Sequence, residues 1–173
     1  MYDLTAPIET YGTTPDITHV DLYYKGTVLA EKTLATDCVL LDLSAGAEKI
    51  DPAKLAGFDR IRPGNSVILK TGWEKFRGTE RYAQSPWVDR GLLEALVARG
   101  AVLVLIDSPG VYGGAKGPEH NEVDKYLADS GAHAVENLVR LDTLPGTEFK
   151  LYCFPIYMSD RNNAPCRVVA DFR

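Results

Sequence analysis

His19 and Asp21 stand two residues apart in the stretch Ile17 to Tyr24, ITHVDLYY. Strand-forming residues surround them, and on a strand residues i and i+2 face the same side, so an imidazole and a carboxylate can converge on one metal ion. Glu136 follows the apolar segment Ala132 to Val135, and a carboxylate emerging from a buried strand is costly unless it finds a partner. Asp124 lies on the helix before that strand, a full helix and turn away in sequence. The chain holds only two further histidines. His120 sits at a helix start, where capping or exposure is the ordinary role, and His133 lies inside the strand-like AHAVE. No G-x-S-x-G nucleophile elbow is present. The glycines at Gly113, Gly114 and Gly117 fit neither P-loop nor dinucleotide spacing.

Several elements must position these groups. Ala101 to Ile106, AVLVLI, is a short apolar run bounded by turn residues, which predicts a fully buried central strand. A helix leads into it: Asp89 caps, Leu92, Leu93, Leu96 and Val97 form an apolar stripe, and Gly100 closes. Asp107 and Ser108 stand just past the strand's carboxyl end, where α/β proteins often bind ligands; the alternative is that they only start a turn. Cys38 to Leu43 and Ser66 to Thr71 read as further strands, and Asp51 to Ala56 as a short helix with Pro at its first position. Thr27 to Leu34 is either a short strand or an excursion. Glu74 to Pro86 is a long polar and aromatic loop, a type that is often functional. Glu119 to Ser130 reads as a helix ended by Gly131, followed by a strand from Ala132. Phe149 to Met158 and Cys166 to Phe172 are late strands.

With 173 residues the chain is expected to form one domain, residues 1–173, of α/β class. The net charge of −5, with acids and bases mixed, argues against a nucleic-acid partner. No apolar run reaches membrane-span length, and MYDLTAPIE has neither the basic segment nor the apolar core of a signal peptide. Cys38, Cys153 and Cys166 are an odd number at wide spacing, expected as reduced core residues of a cytoplasmic protein.

Six segments in order resemble the cyclase family that includes bacterial kynurenine formamidase and isatin hydrolase. They are Tyr2 to Thr5, VILKTGW at Val67 to Trp73, Tyr82 with Pro86 and the following helix, LIDSPG at Leu105 to Gly110, GAHAVENLVRLDTL at Gly131 to Leu144, and APCRVVA at Ala164 to Ala170. The resemblance implies a swivelling β/β/α-type fold with a mixed central sheet flanked by helices. The family's metal motif is H-x-G-T-H-x-D-x-P-x-H, joined later by a His and a Glu twelve residues apart. On PDITHVDLYYK, His19 and Asp21 match the second His and the Asp. Pro15 replaces the first His, Ile17 the Gly, Tyr23 the Pro, and Lys25 the last His. Glu136 matches the late Glu, and the position twelve before it is Asp124, with His120 out of register by four residues.

The resemblance therefore implies His19, Asp21, Asp124 and Glu136 as ligands of one divalent ion (Mn²⁺, Zn²⁺ or Mg²⁺) or, given the lost histidines, no metal at all. It places Lys25, Glu136 and His120 as acid–base groups, and Tyr23, Trp73, Asp107 and Ser108 against a small-molecule substrate. Three readings follow. The first is hydrolysis or cyclisation of an amide, lactam or related carbonyl by a metal-bound water. The second is a metal-free cyclase, dehydratase or isomerase using the same cleft. The third is a non-catalytic binding relative. The resemblance also implies a homodimer or larger homo-oligomer.

Overall fold

A computed structural model describes the chain apart from residues 8–9, 12–13, 16, 47–49, 113–117 and 173, and describes backbone alone at 10–11 and 14–15. The strands in chain order are β1 (Tyr2–Asp3), β2 (Thr10–Tyr11), β3 (Thr14–Pro15), β4 (His19–Asp21), β5 (Ala35–Asp42) and β6 (Ser66–Lys70). Helix α1 (Arg90–Ala98), β7 (Leu103–Ile106), helix α2 (Pro118–Asp129), β8 (His133–Glu136), β9 (Glu148–Pro155) and β10 (Asn163–Asp171) follow. Strands β5, β6, β7 and β8 run parallel to one another, and β4, β10, β9 and β1 join antiparallel.

The expected mixed sheet is present and goes further than expected, because it closes on itself. The order β1-β10-β4-β8-β7-β6-β5-β9 is completed by pairing of β9 with β10, so the sheet forms a barrel. Side-chain alternation then sorts residues into two cores. Cys38, Leu40, Ile68, Leu105, Val135 and Val168 pack inside the barrel. Val39, Leu41, Leu69, Val104, Ile106 and Ala134 face outward and are covered by Leu92, Leu93 and Leu96 of α1 and by Val123 and Leu127 of α2. The four-residue run of β7 is apolar throughout because both of its faces are buried. Burial of each such Leu, Val or Ile contributes about 1.5–3 kcal/mol.

Local signals decide the element ends. The Asp89 carboxylate accepts the Leu92 amide at 3.0 Å and starts α1. The expected helix at Asp51 is a single 3-10 turn, Pro52–Lys54, with the Asp51 side chain accepting from the Ala53 amide. Thr27 to Leu34 forms no strand; it contains the 3-10 turn Glu31–Thr33. The three cysteines are free and buried, as expected. The glycines at 113, 114 and 117 lie outside the described residues.

Gly100 links α1 to β7 with a φ of +79°, and a Cβ there would stand 2.9 Å from the Pro63 Cα. Gly100→Ala is therefore expected to lower unfolding stability by more than about 1 kcal/mol, read as a reduced midpoint in urea with an unchanged slope.

Candidate metal centre

The register between β4 and β8 builds the first half of the site. His19 pairs with Glu136 and Asp21 with Ala134. Val20 and Val135 point into the barrel, so His19, Asp21 and Glu136 project together from its outer surface. His19 Nε2 stands 3.5 Å from Asp21 Oδ2 and 3.6 Å from Glu136 Oε2. Helix α2 supplies the second half. Val123 and Leu127 are fully buried against the sheet, which turns the adjoining His120 and Asp124 toward the same place. His120 Nε2 and Asp124 Oδ2 are 3.3 Å apart at i,i+4 spacing.

Two ligand-type groups result, His19–Asp21–Glu136 and His120–Asp124–Glu136, and within each group donor atoms lie within 4.8 Å of one another. Glu136 belongs to both and is 2% exposed. Its Oε1 accepts the Val111 amide at 3.1 Å, which leaves Oε2 toward His19.

The electrostatics are those of crowded acids. Burial, then the charges of Asp21 and Asp124, push the Glu136 carboxyl well above the usual range, against the pull of His19 and of the Val111 amide. Burial and the Asp21 charge raise Asp124 to about 6, with His120 and His19 opposing. Burial works to lower His19, but the hydrogen bond and charge of Asp21 and the charge of Glu136 outweigh it and raise the imidazole to about 10. Two polar atoms in the cluster, His120 Nδ1 and Asp124 Oδ1, are buried without a hydrogen-bond partner. Buried orphans of this kind require an explanation, and a bound cation is one. Imidazole and carboxylate donors suit Mn²⁺, Zn²⁺ or Mg²⁺, and the residues present fit such an ion.

The sequence-predicted residues divide. His19, Asp21, Asp124 and Glu136 come together. His120 is not a cap or a freely exposed side chain, since it is half-buried and paired with Asp124. Its four-residue offset is one helical turn, which returns it to the same face. Lys25 is exposed, and among the described residues no ion pair ties it to the cluster. Tyr23 takes a left-handed φ of 58° and packs edge-on against Tyr24. Trp73 is half-buried, and its indole N–H donates to the Tyr82 carbonyl at 3.0 Å.

Asp107 and Ser108 differ from the expectation of substrate contact. Both are fully buried. Asp107 accepts the Thr71 amide at 2.8 Å and hydroxyl at 2.6 Å, the Gly72 amide at 2.7 Å and the Trp73 amide at 3.1 Å. Ser108 donates to the Gly110 carbonyl. They hold loops in place, the alternative that position alone had left open. The Val111 amide was not singled out from sequence; a backbone donor leaves no signal there.

The family model described as "Putative cyclase" matches residues 2–111. The chain belongs to this cyclase family. The match spans β1 to β7, with His19 and Asp21, and stops before α2 and β8. No curated protein matches. Among solved structures, this cyclase-family chain is similar to a "Potential Metal-Dependent Hydrolase With Cyclase Activity", at 24% identity and a TM-score of 0.75 over 99% of this chain and 98% of that one. It is also similar to a predicted metal-dependent hydrolase from Bacillus stearothermophilus, at 22% identity and a TM-score of 0.70 over 98% and 96%. Isatin hydrolase A from Labrenzia aggregata, bound to benzyl benzoate, superimposes at 19% identity and a TM-score of 0.78 over 98% and 92%. At these identities the likeness establishes a shared fold. No helix among the described residues is long and apolar enough to cross a membrane.

Asp107→Asn would set amide hydrogens against backbone donors. The expected outcome is a loss of about 1–3 kcal/mol in chemical denaturation, with the metal content of the folded protein unchanged.

Proposed function

We propose that this cyclase-family protein is a metal-dependent hydrolase that opens an amide, lactam or related carbonyl bond. The observation that carries this reading is the pair of donor groups sharing Glu136, with His120 Nδ1 and Asp124 Oδ1 buried and unpartnered beside it. His19, Asp21 and Glu136 would hold the ion, with His120 and Asp124 completing its surroundings from α2. A divalent cation bound there would polarise a carbonyl oxygen and acidify water.

The chain's own groups do the rest. The Val111 amide fixes Glu136 Oε1, so that only Oε2 is presented to the cluster. The Ile17 carbonyl accepts from His19 Nδ1 at 3.0 Å, which directs Nε2 toward the two carboxylates. The α2 helix closes over the acids and limits water access, which strengthens their hold on a cation.

A second reading is favoured by the closed His120–Asp124 pair at 3.3 Å. In it one ion sits at His19–Asp21–Glu136 and His120 carries the proton to or from the substrate. Metal retention separates the two: loss of the ion in His120→Ala would make His120 part of its coordination, and one equivalent retained in His120→Ala would make His120 a proton carrier.

Addition of Mn²⁺ or Zn²⁺ to chelator-treated protein is expected to raise the melting temperature. At a hundredfold excess over Kd the stabilisation is about 2.7 kcal/mol. His19→Ala and Glu136→Gln should remove both the bound metal, read by elemental analysis, and the thermal shift. Metal-free protein with no thermal response to either ion would overturn the proposal.

A further inference from the structure

The outer surface of the barrel is covered unevenly. Helices α1 and α2 pack over the outward residues of β5 to β8. Strands β9 and β10 lie beyond that cover. Cys153 and Val168 fill the barrel interior, so alternation turns Tyr152, Phe154, Arg167 and Val169 outward. Tyr152 stands opposite Val169 and Phe154 opposite Arg167, and the Tyr152 and Phe154 rings stack along β9 at 6.2 Å. Past the end of β9 the Ile156 amide donates to the Pro165 carbonyl at 2.7 Å. The Leu29 amide donates to the Tyr157 hydroxyl at 3.0 Å, which brings Val28 alongside.

The result is one apolar patch built from two distant segments. Phe154 is 50% exposed, Ile156 69%, Tyr157 38% and Val28 63%. Apolar side chains scattered singly over a surface are ordinary, whereas a contiguous group marks an interaction site. The exposed parts of these four amount to about 400 Å². That is half of the roughly 800 Å² that each partner buries in a stable complex, with a polar rim left to supply the rest.

Charge selects the occupant. The rim carries both signs equally: Arg167 pairs with Asp3 at 2.6 Å, and Lys150 with Asp37 at 3.3 Å. The chain as a whole stands at −5, yet this face is balanced. A strongly acidic or basic partner finds no complement here. Two copies can meet through it without the repulsion that their net charge imposes elsewhere. An aromatic centre with an arginine beside it and a balanced rim is the composition of a surface that fits itself.

We infer that the outer face of β9 and β10, centred on Phe154 and Ile156, is where two copies of the chain associate about a two-fold axis. The inference is independent of the metal reading, but the two sites adjoin. Pro165 pairs with His19, and His19 with Glu136, so Ile156, Pro165, His19 and Glu136 follow one another across the sheet. A second copy seated on the patch therefore borders the metal centre on its β10 flank.

Sedimentation velocity and light scattering on the full chain test this. The expected wild-type mass is twice the 19.0 kDa of one chain, falling toward one chain on dilution. Phe154→Glu and Ile156→Glu should each weaken self-association at least about 10-fold, and together leave the single-chain mass with the far-ultraviolet circular dichroism unchanged. Val28→Glu lies outside the sheet and makes the same test should a strand variant fail to fold. Trp87→Glu places the same charge on a 45% exposed side chain that pairs with Tyr112 just past β7, and should leave the dimer intact. A wild type that keeps the single-chain mass at every concentration would overturn the inference. So would a dimer that survives the paired substitution, or one that Trp87→Glu dissociates equally well. None of these readouts depends on bound metal, so their failure leaves the metal reading standing.

Discussion

Glu136 is an acid placed where acids are costly. It is buried at the end of a central strand, with two further carboxylates, Asp21 and Asp124, close enough to raise its pKa. Only one protein hydrogen bond, from the Val111 amide, offsets that cost among the contacts described. Burying such a group ionised and unpaired is unfavourable by several kcal/mol, so as a carboxylate it depends on compensating positive charge. His19 supplies some of it, as its raised pKa records. The rest of the structure is arranged around that requirement: β4 delivers His19 and Asp21 across from Glu136, and α2 delivers His120 and Asp124 from above.

Closure of the sheet makes this possible. Because β9 joins β10 to β5, the barrel interior is a largely apolar core in which Thr36 and Ser66 hydrogen-bond to each other, and the clustered acids of the site project outward. The outer surface near β7 and β8 is covered by helices, which turns outward-facing positions into an enclosed site instead of an exposed one. The centre therefore lies between sheet and helix, at the carboxyl ends of the parallel strands, where α/β proteins commonly place ligands. Asp107 and Ser108 occupy that same end, yet they serve the scaffold. Asp107 gathers the amides of Thr71, Gly72 and Trp73, and so fixes the start of the 73–86 loop that carries Tyr82 toward Asn137.

Departures from the family motif acquire a physical meaning in this setting. By the resemblance read from the sequence, Asp124 takes the place of a motif histidine, and His120 stands one helical turn earlier. On a helix that displacement keeps both side chains on one face, and the two meet at 3.3 Å. An imidazole is thus brought to the cluster from a different rung of the same helix. Lys25, in the place of another motif histidine, is exposed beyond the strand end, because the chain turns at Tyr23 with a positive φ instead of continuing β4.

The sequence by itself determined the elements with strong local signals. The apolar run of β7, the Asp89 cap and Gly100 stop of α1, and the strands near Cys38 and Ser66 are each set by periodicity or by capping chemistry within a few residues. It also determined that His19 and Asp21 share a face, since that follows from the two-residue repeat of a strand. Only the tertiary structure decided that the sheet closes, because the β5–β9 and β4–β10 pairings join segments far apart in the chain, which no local pattern encodes. The same is true of His120: its helical position was legible, but its approach to Glu136 depends on how α2 packs on the sheet. Periodicity acts over one turn or two residues, whereas a site of this kind is made by contacts between strands and helices distant in the chain.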